Sequence, residues 1–281
     1  MKNMSVIGAG TMGAGIAQVF VQAGWQVVLA DNSMALARQG QEKIISAMAK
    51  LVQKEKLSQK EMDQAMVSLT VTDHLEQCVQ SSLVIEAIYE DLQAKQDLFL
   101  ALESIVSPDA ILASNTSSIS ITQIASVLKE KGRCAGMHFF NPAGVMQLVE
   151  VIAGMQTSPQ TAASIIAIAN EIHKTPVPVD EGPGFVVNRL LIPMINEAVA
   201  IYAEGIASAQ DIDAAMRLGA NHPIGPLALG DLIGLDICLA IMEVLQGEFG
   251  DNKYSPHPLL RKMVRAGRLG RKTGQGFFAY Q

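Results

Sequence analysis

From Met4 to about Val179, short apolar β-rich runs alternate with longer stretches of helical periodicity. Ser5–Ile7, Val27–Ala30, Ser68–Val71, Leu83–Glu86, Ala110–Ala113 and Arg133–Met137 have the length and composition of buried strands. Gly13–Ala23, Met34–Lys54 and Asp91–Ile105 have the period of helices. Such alternation predicts an α/β fold: a doubly wound, mostly parallel sheet with right-handed crossovers and helices on both faces. Two stretches exceed the minimal pattern. Residues 34–65 are too long for one crossover helix, and Lys54–Ser58 (K-E-K-L-S) reads as the turn of an inserted helical hairpin. Met146–Ile152 and Thr175–Val179 are candidates for added antiparallel strands flanking a helix near Gln160–His173.

The segment Thr175–Phe185, T-P-V-P-V-D-E-G-P-G-F, concentrates proline and glycine and marks a domain boundary. It divides the chain into residues 1–183 and an all-α second domain, 184–281. There Val187, Leu190, Leu191, Met194, Ile195, Ala198, Ile201 and Tyr202 recur at i, i+3, i+4 spacing, with Pro193 predicting a kink. Further helices are predicted over Ala209–Leu218, Pro226–Phe249 and Pro258–Ala266. The last helices are apolar around much of their circumference, which predicts a face packed on a second copy, a homodimer.

Composition narrows the class of partner. The 21 Lys+Arg and 27 Asp+Glu give a net charge of −6, with 49% apolar residues, the balance of a folded chain with ample core. A negative chain without a basic run argues against nucleic acid. No run reaches the ~18 uncharged apolar residues of a membrane span, and the N-terminal apolar stretch is broken by Gly8, Gly10, Gly13 and Gly15, unlike a signal peptide. Cys78, Cys134 and Cys238 are too few and too scattered for a disulfide framework or a C-x-x-C metal site, so a reducing cytoplasmic setting is expected. His74, His173, His222 and His257 lack carboxylate or cysteine neighbours at ligand spacing, so no metal site is assigned.

The first chemical signal follows the first strand: Gly8-Ala9-Gly10-Thr11-Met12-Gly13, a G-x-G-x-x-G sequence. One glycine permits the tight turn, the second lets a pyrophosphate approach bare backbone, and the third lets the helix pack against the strand. The pyrophosphate would then sit at the positive end of the helix. Asp31, ending the second strand, is placed to accept hydrogen bonds from the adenosine ribose hydroxyls and to repel a 2′-phosphate. That favours NAD over NADP, while FAD stays open on this motif alone. The competing reading makes Asp31 the cap of the next helix, a task Asn32 or Ser33 could also fill.

The second signal is M-H-F-F-N-P (Met137–Pro142) followed by L-V-E-V-I (Leu148–Ile152). His138 ends a sheet strand, the edge where open α/β folds place ligands. Glu150 is the only charge between Pro142 and Gln160, and a carboxylate in so apolar a run needs a partner. If that partner is His138, the two form a general base with an orienting acid; the alternative is a buried pair that satisfies only itself. Ser114-Asn115-Thr116-Ser117-Ser118 brings polar groups to the same sheet edge, although helix capping could account for Ser118 or Ser120. Asn188 stands in the first turn after the linker, read as facing the first domain.

With these residues in view, the sequence resembles the L-3-hydroxyacyl-CoA dehydrogenases, and among them the short bacterial 3-hydroxybutyryl-CoA dehydrogenases. The resemblance spans V-I-G-A-G-T-M-G-A-G-I-A-Q, A-S-N-T-S-S, H-F-F-N-P, L-V-E-V-I, G-F-V-V-N-R, G-P-L-A-L-G-D and G-R-K-T-G-Q-G-F, in order along the chain. It implies a Rossmann-type first domain and a dimerising helical second domain. It further implies NAD-dependent oxidation of short-chain (S)-3-hydroxyacyl-CoA thioesters to 3-oxoacyl-CoA, and the reverse. His138 would be the base, Glu150 its partner, and Ser117 and Asn188 the hydrogen-bond donors to substrate oxygen. Glu90, Lys95, Asn115, Asn141 and Lys272 match positions that help hold NAD, and Lys54 on the hairpin matches a coenzyme A phosphate contact. The family's mammalian members have a serine near Ala47, which weakens the match there. A related dehydrogenase of gulonate-type sugar acids and a crystallin-like structural protein retaining NAD binding are the alternatives.

Overall fold

A computed structural model describes residues 2–280. Helix and strand boundaries follow the hydrophobic pattern closely. In chain order the first part contains β1 (Asn3–Ile7), α1 (Thr11–Gln22), β2 (Gln26–Ala30), α2 (Met34–Gln53), α3 (Gln59–Val67), β3 (Leu69–Thr72), β4 (Leu83–Glu86) and α4 (Leu92–Ile105). It continues with β5 (Ile111–Ser114), α5 (Ile121–Ala125), β6 (Cys134–Phe139), β7 (Leu148–Ala153), α6 (Pro159–Glu171) and β8 (Thr175–Asp180). The strands form one sheet in the order β3-β2-β1-β4-β5-β6-β7-β8. Strands β1 to β6 run parallel; β7 is antiparallel to β6, and β8 runs parallel to β7. Every residue of β4 and β6 is buried, as expected of central strands covered on both faces.

The inserted hairpin is α2 and α3. Ala37, Gly40, Ile44 and Met48 recur every three or four residues and form the buried face of α2. A side chain at Gly40 would lie 2.7 Å from the Cβ of Ala9, so only glycine allows this close approach to the β1–α1 turn. Lys54 ends α2 and Glu55 turns the chain with φ of 54°. A reciprocal cap between Ser58 and Glu61 then starts α3.

A second compact unit begins at Pro183. It is helical: α7 (Val187–Ala203), α8 (Ala209–Gly219), α9 (Pro226–Ile233), α10 (Leu235–Phe249) and α11 (Pro258–Arg265). Ile192 and Ile195 of α7 pack with Cys238, Ile241, Met242 and Leu245 of α10. Helix α7 continues through Pro193. The single helix expected over Pro226–Phe249 is instead two, because Gly234 adopts φ of +108°, which no helix accommodates. Gly234 is one of three glycines in that run, and nothing local singles it out as the break.

The C-terminal segment is held to α9 by Asp231, which is 1% exposed. Its carboxylate accepts from the Phe277 and Phe278 amides and from the Tyr280 hydroxyl, each at 3.0 Å. Burial, and then the bond to Asp231, pushes the Tyr280 hydroxyl up to about 12. Asp231→Ala strands buried amide donors and should destabilise this unit by about 1–3 kcal/mol. An unchanged urea midpoint would show that the tail is not held this way.

Candidate functional site

The turn from β1 to α1 is shaped by close backbone contacts. Gly8 has φ of +102°, and a Cβ there would lie 2.5 Å from the carbonyl oxygen of Ala87. A Cβ on Gly13 would lie 1.7 Å from the Gly8 carbonyl oxygen, so helix and turn can meet only as glycine. Gly10 differs: a Cβ on it meets nothing within 4 Å, leaving bare backbone facing open space. No side chain caps α1 at Gly10, and Thr11 and Met12 form its first turn. An uncapped helix N-terminus behind exposed backbone fits a pyrophosphate. The turn also lies where strand order reverses between β1 and β4, the crevice in which open α/β sheets bind ligands. Asp31 accepts from the amides of Ala9 at 2.7 Å and Asn32 at 2.8 Å, so it braces this turn from the end of β2. It does not cap α2; Ser33 does, accepting from Leu36.

The next loops are organised by two glutamates and a lysine. Glu86, fully buried at the end of β4, accepts from the Ile88 amide at 2.7 Å, Lys95 Nζ at 2.6 Å and Ser114 Oγ at 2.6 Å. Lys95 is 1% exposed and lies between Glu86 and Glu90. Glu90 accepts from Thr116 Oγ1 at 2.6 Å and from the Ser117 and Ser118 amides at 2.9 and 3.1 Å. Burial pushes the Glu90 carboxyl up, but the Lys95 ammonium and the bonds from Thr116 and Ser117 outweigh it and hold it below the ordinary glutamate range. Capping accounts for Ser120, which accepts from the Gln123 amide at the start of α5. It does not account for Thr116, Ser117 and Ser118, which converge on Glu90.

Beside them, His138 on β6 stands opposite Glu150 on β7 in the antiparallel register. His138 Nδ1 and Glu150 Oε2 are 2.8 Å apart, with exposures of 6% and 1%. With the carboxylate accepting from Nδ1–H, Nε2 becomes the basic nitrogen of the ring. The Phe140 ring lies 4.5 Å from the imidazole, centroid to centroid. Asn115 Oδ1 accepts from the Phe139 amide at 2.8 Å, tying the loop after β5 to the end of β6. Such a site can take up a proton at an oriented imidazole beside hydroxyl and amide donors.

The remaining candidates are more dispersed. Asn141 is exposed in the turn after His138, and Lys54 is exposed at the hairpin tip. In the second unit, Asn188 lies in the first turn of α7, and Lys272 pairs with Asp236 at 2.6 Å. Lys95 is not at a surface; it stabilises the loop carboxylates from beneath. Glu86 escaped the sequence reading, although one acid closing the apolar strand L-V-I-E carries the same signal as Glu150. Among the described residues, no cluster of three or more His, Cys, Asp or Glu could hold a metal ion, and no helix is long and apolar enough to cross a membrane.

Comparison with known proteins agrees over the whole chain. Residues 3–182 match the 3-hydroxyacyl-CoA dehydrogenase NAD binding domain, and residues 184–280 match the C-terminal domain of the same family. The chain is 51% identical over 277 residues to a 3-hydroxybutyryl-CoA dehydrogenase of Clostridioides difficile, covering 99% of each sequence. It is 48% identical over 281 residues to a probable 3-hydroxybutyryl-CoA dehydrogenase of Bacillus subtilis, covering 100% of this chain and 98% of the relative. The solved structure of (S)-3-hydroxybutyryl-CoA dehydrogenase PaaH1 from Ralstonia eutropha superposes with a TM-score of 0.97 at 47% identity, covering 100% of this chain and 99% of that one. The dinucleotide turn, the loops it faces and these relatives lead to one conclusion: the chain belongs to the 3-hydroxyacyl-CoA dehydrogenase family and is an NAD-dependent enzyme.

Proposed function

We propose that the protein interconverts (S)-3-hydroxybutyryl-CoA and acetoacetyl-CoA, with His138 as general acid/base and Glu150 as its orienting partner. The observation that carries this reading is the 2.8 Å contact between His138 Nδ1 and Glu150 Oε2, held in strand register at the ligand-binding edge of the sheet. In the oxidative direction His138 Nε2 takes the proton of the 3-hydroxyl, and the Glu150 carboxylate stabilises the resulting imidazolium. In the reverse direction the same nitrogen returns that proton to the carbonyl oxygen. NAD, when bound, supplies the hydride acceptor. Ser117 and Asn188 donate hydrogen bonds to the reacting oxygen or the neighbouring thioester carbonyl, polarising it for reduction.

For the cofactor, Gly8, Gly10, Thr11, Met12 and Gly13 hold the pyrophosphate and Asp31 the adenosine ribose. Glu90, Asn115, Ser117 and Asn141 line its path toward His138, and Lys95 fixes Glu90; Lys272 is a further candidate contact to the dinucleotide. Lys54 holds a phosphate of coenzyme A. The second unit forms a homodimer, a reading supported by the exposed apolar side chains Leu190 and Leu218, 72% and 86% accessible.

Acetoacetyl-CoA with NADH is the deciding assay. NADH oxidation dependent on the thioester is expected, with little activity on L-gulonate and NAD. The opposite preference would replace the thioester by a sugar acid as substrate.

A further inference from the structure

Lys174 lies between α6 and β8, 7% exposed, and is used by none of the chemistry above. Its ammonium donates to the carbonyl oxygens of Ala143 at 2.7 Å and Met146 at 2.8 Å. Among the described residues no carboxylate pairs with it, and burial holds it below the usual lysine value. Burying an ammonium is costly, and the Met146 carbonyl, in the exposed part of the turn, could be satisfied by water, whereas Ala143 is 3% exposed and its carbonyl relies on this bond. One ammonium therefore ties the buried and the exposed carbonyl together and fixes the shape of the turn. The turn is also held by α1. A Cβ built on Gly15 of α1 would lie 3.2 Å from that of Ala143, and one built on Gly144 would lie 3.7 Å from Gln18 Nε2. The turn that joins His138 to Glu150 is thus clamped between Lys174 and the helix that starts at the dinucleotide turn.

We propose that Lys174 is a positioning residue that clamps the 141–147 turn onto α1, giving the nicotinamide half of NAD a preformed wall beside His138. The clamp acts on that half alone. Asp31 ends β2 and His138 lies on β6, four strand intervals away, or roughly 19 Å at ~4.8 Å per interval. The proposal rests on reading His138 as the base and the crevice as the path of NAD.

Its test compares two ligands on one variant, Lys174→Met, by calorimetric titration together with steady-state turnover. NADH should bind about ten-fold more weakly and kcat should fall about ten-fold, while ADP-ribose binds within about two-fold of wild type. Lys174→Arg, which keeps a buried cation with donors, should recover most of both. Equal weakening of NADH and ADP-ribose would make Lys174 a general prop of the fold, and no weakening of either would leave it without a role; each overturns the proposal. If Lys174→Met does not fold, the same pair of titrations on Lys174→Gln decides. Failure of the His138 reading shows separately, as undiminished turnover in His138→Gln with the ligand split in Lys174→Met still present.

Discussion

His138→Gln is expected to lower kcat by about 10²–10⁴-fold while leaving NAD affinity within about two-fold of wild type, the signature of a lost general base. The amide retains polarity and much of the imidazole's volume, so β6 and its pairing with β7 should persist. It cannot take up a proton at the operating pH. Glu150→Gln should also slow turnover, because the carboxylate that orients Nδ1–H and stabilises the imidazolium is gone while the ring remains. The double variant should be little worse than His138→Gln alone, since in the proposed mechanism the acid acts only through the base. Steady-state kinetics with acetoacetyl-CoA, together with NADH titration, check all three. If His138→Gln weakened NADH binding as much as turnover, the imidazole would belong to the cofactor pocket rather than to proton transfer.

Glu86→Ala should cause the largest loss of stability, about 3 kcal/mol, near the lower end for breaking a buried ion pair, because Lys95 still has Glu90 at 3.2 Å. The deletion removes one of the two carboxylates at Lys95 and takes the acceptor from the Ser114 hydroxyl and the Ile88 amide, which with Lys95 satisfy Glu86. Glu86→Gln keeps one acceptor and should lose less. Trp25, the only tryptophan, is buried in the first unit against Phe20, so its fluorescence follows urea unfolding of that unit alone. Hydrogen exchange at Ser117 and Ser118 should quicken as well, because the loop is tied through Glu90 and Lys95 to Glu86. A fluorescence midpoint equal to wild type would mean that the buried charges contribute nothing net.

Where the sequence was legible, the signal was local. Periodicity fixed the strands from Ser5 to Met137 to within a residue or two, because a central strand is apolar on both faces and glycine or polar turns punctuate it. The hairpin at Lys54–Ser58 was legible from length and turn chemistry. The pairing of His138 with Glu150 followed from one charge in an apolar strand that returns beside its predecessor. What stayed hidden depended on partners distant along the chain. Glu86 meets Lys95 and Ser114 in space, and Lys174 reaches back to Ala143 and Met146. Gly234 breaks an apolar helix through a backbone angle that composition does not encode. Asp31 bonds the Ala9 amide of the turn that follows the neighbouring strand, a use its place at a strand end did not announce.

The antiparallel return of β7 has a further consequence. His138 and Glu150, the proposed base and its acid, are placed by a ladder of main-chain bonds inside the sheet, whereas Ser117, Asn141 and Lys54 sit on connections that leave it. On the proposed roles, changing those connections, in nature or by directed evolution, would retune substrate and cofactor contacts without dismantling the His138–Glu150 pair.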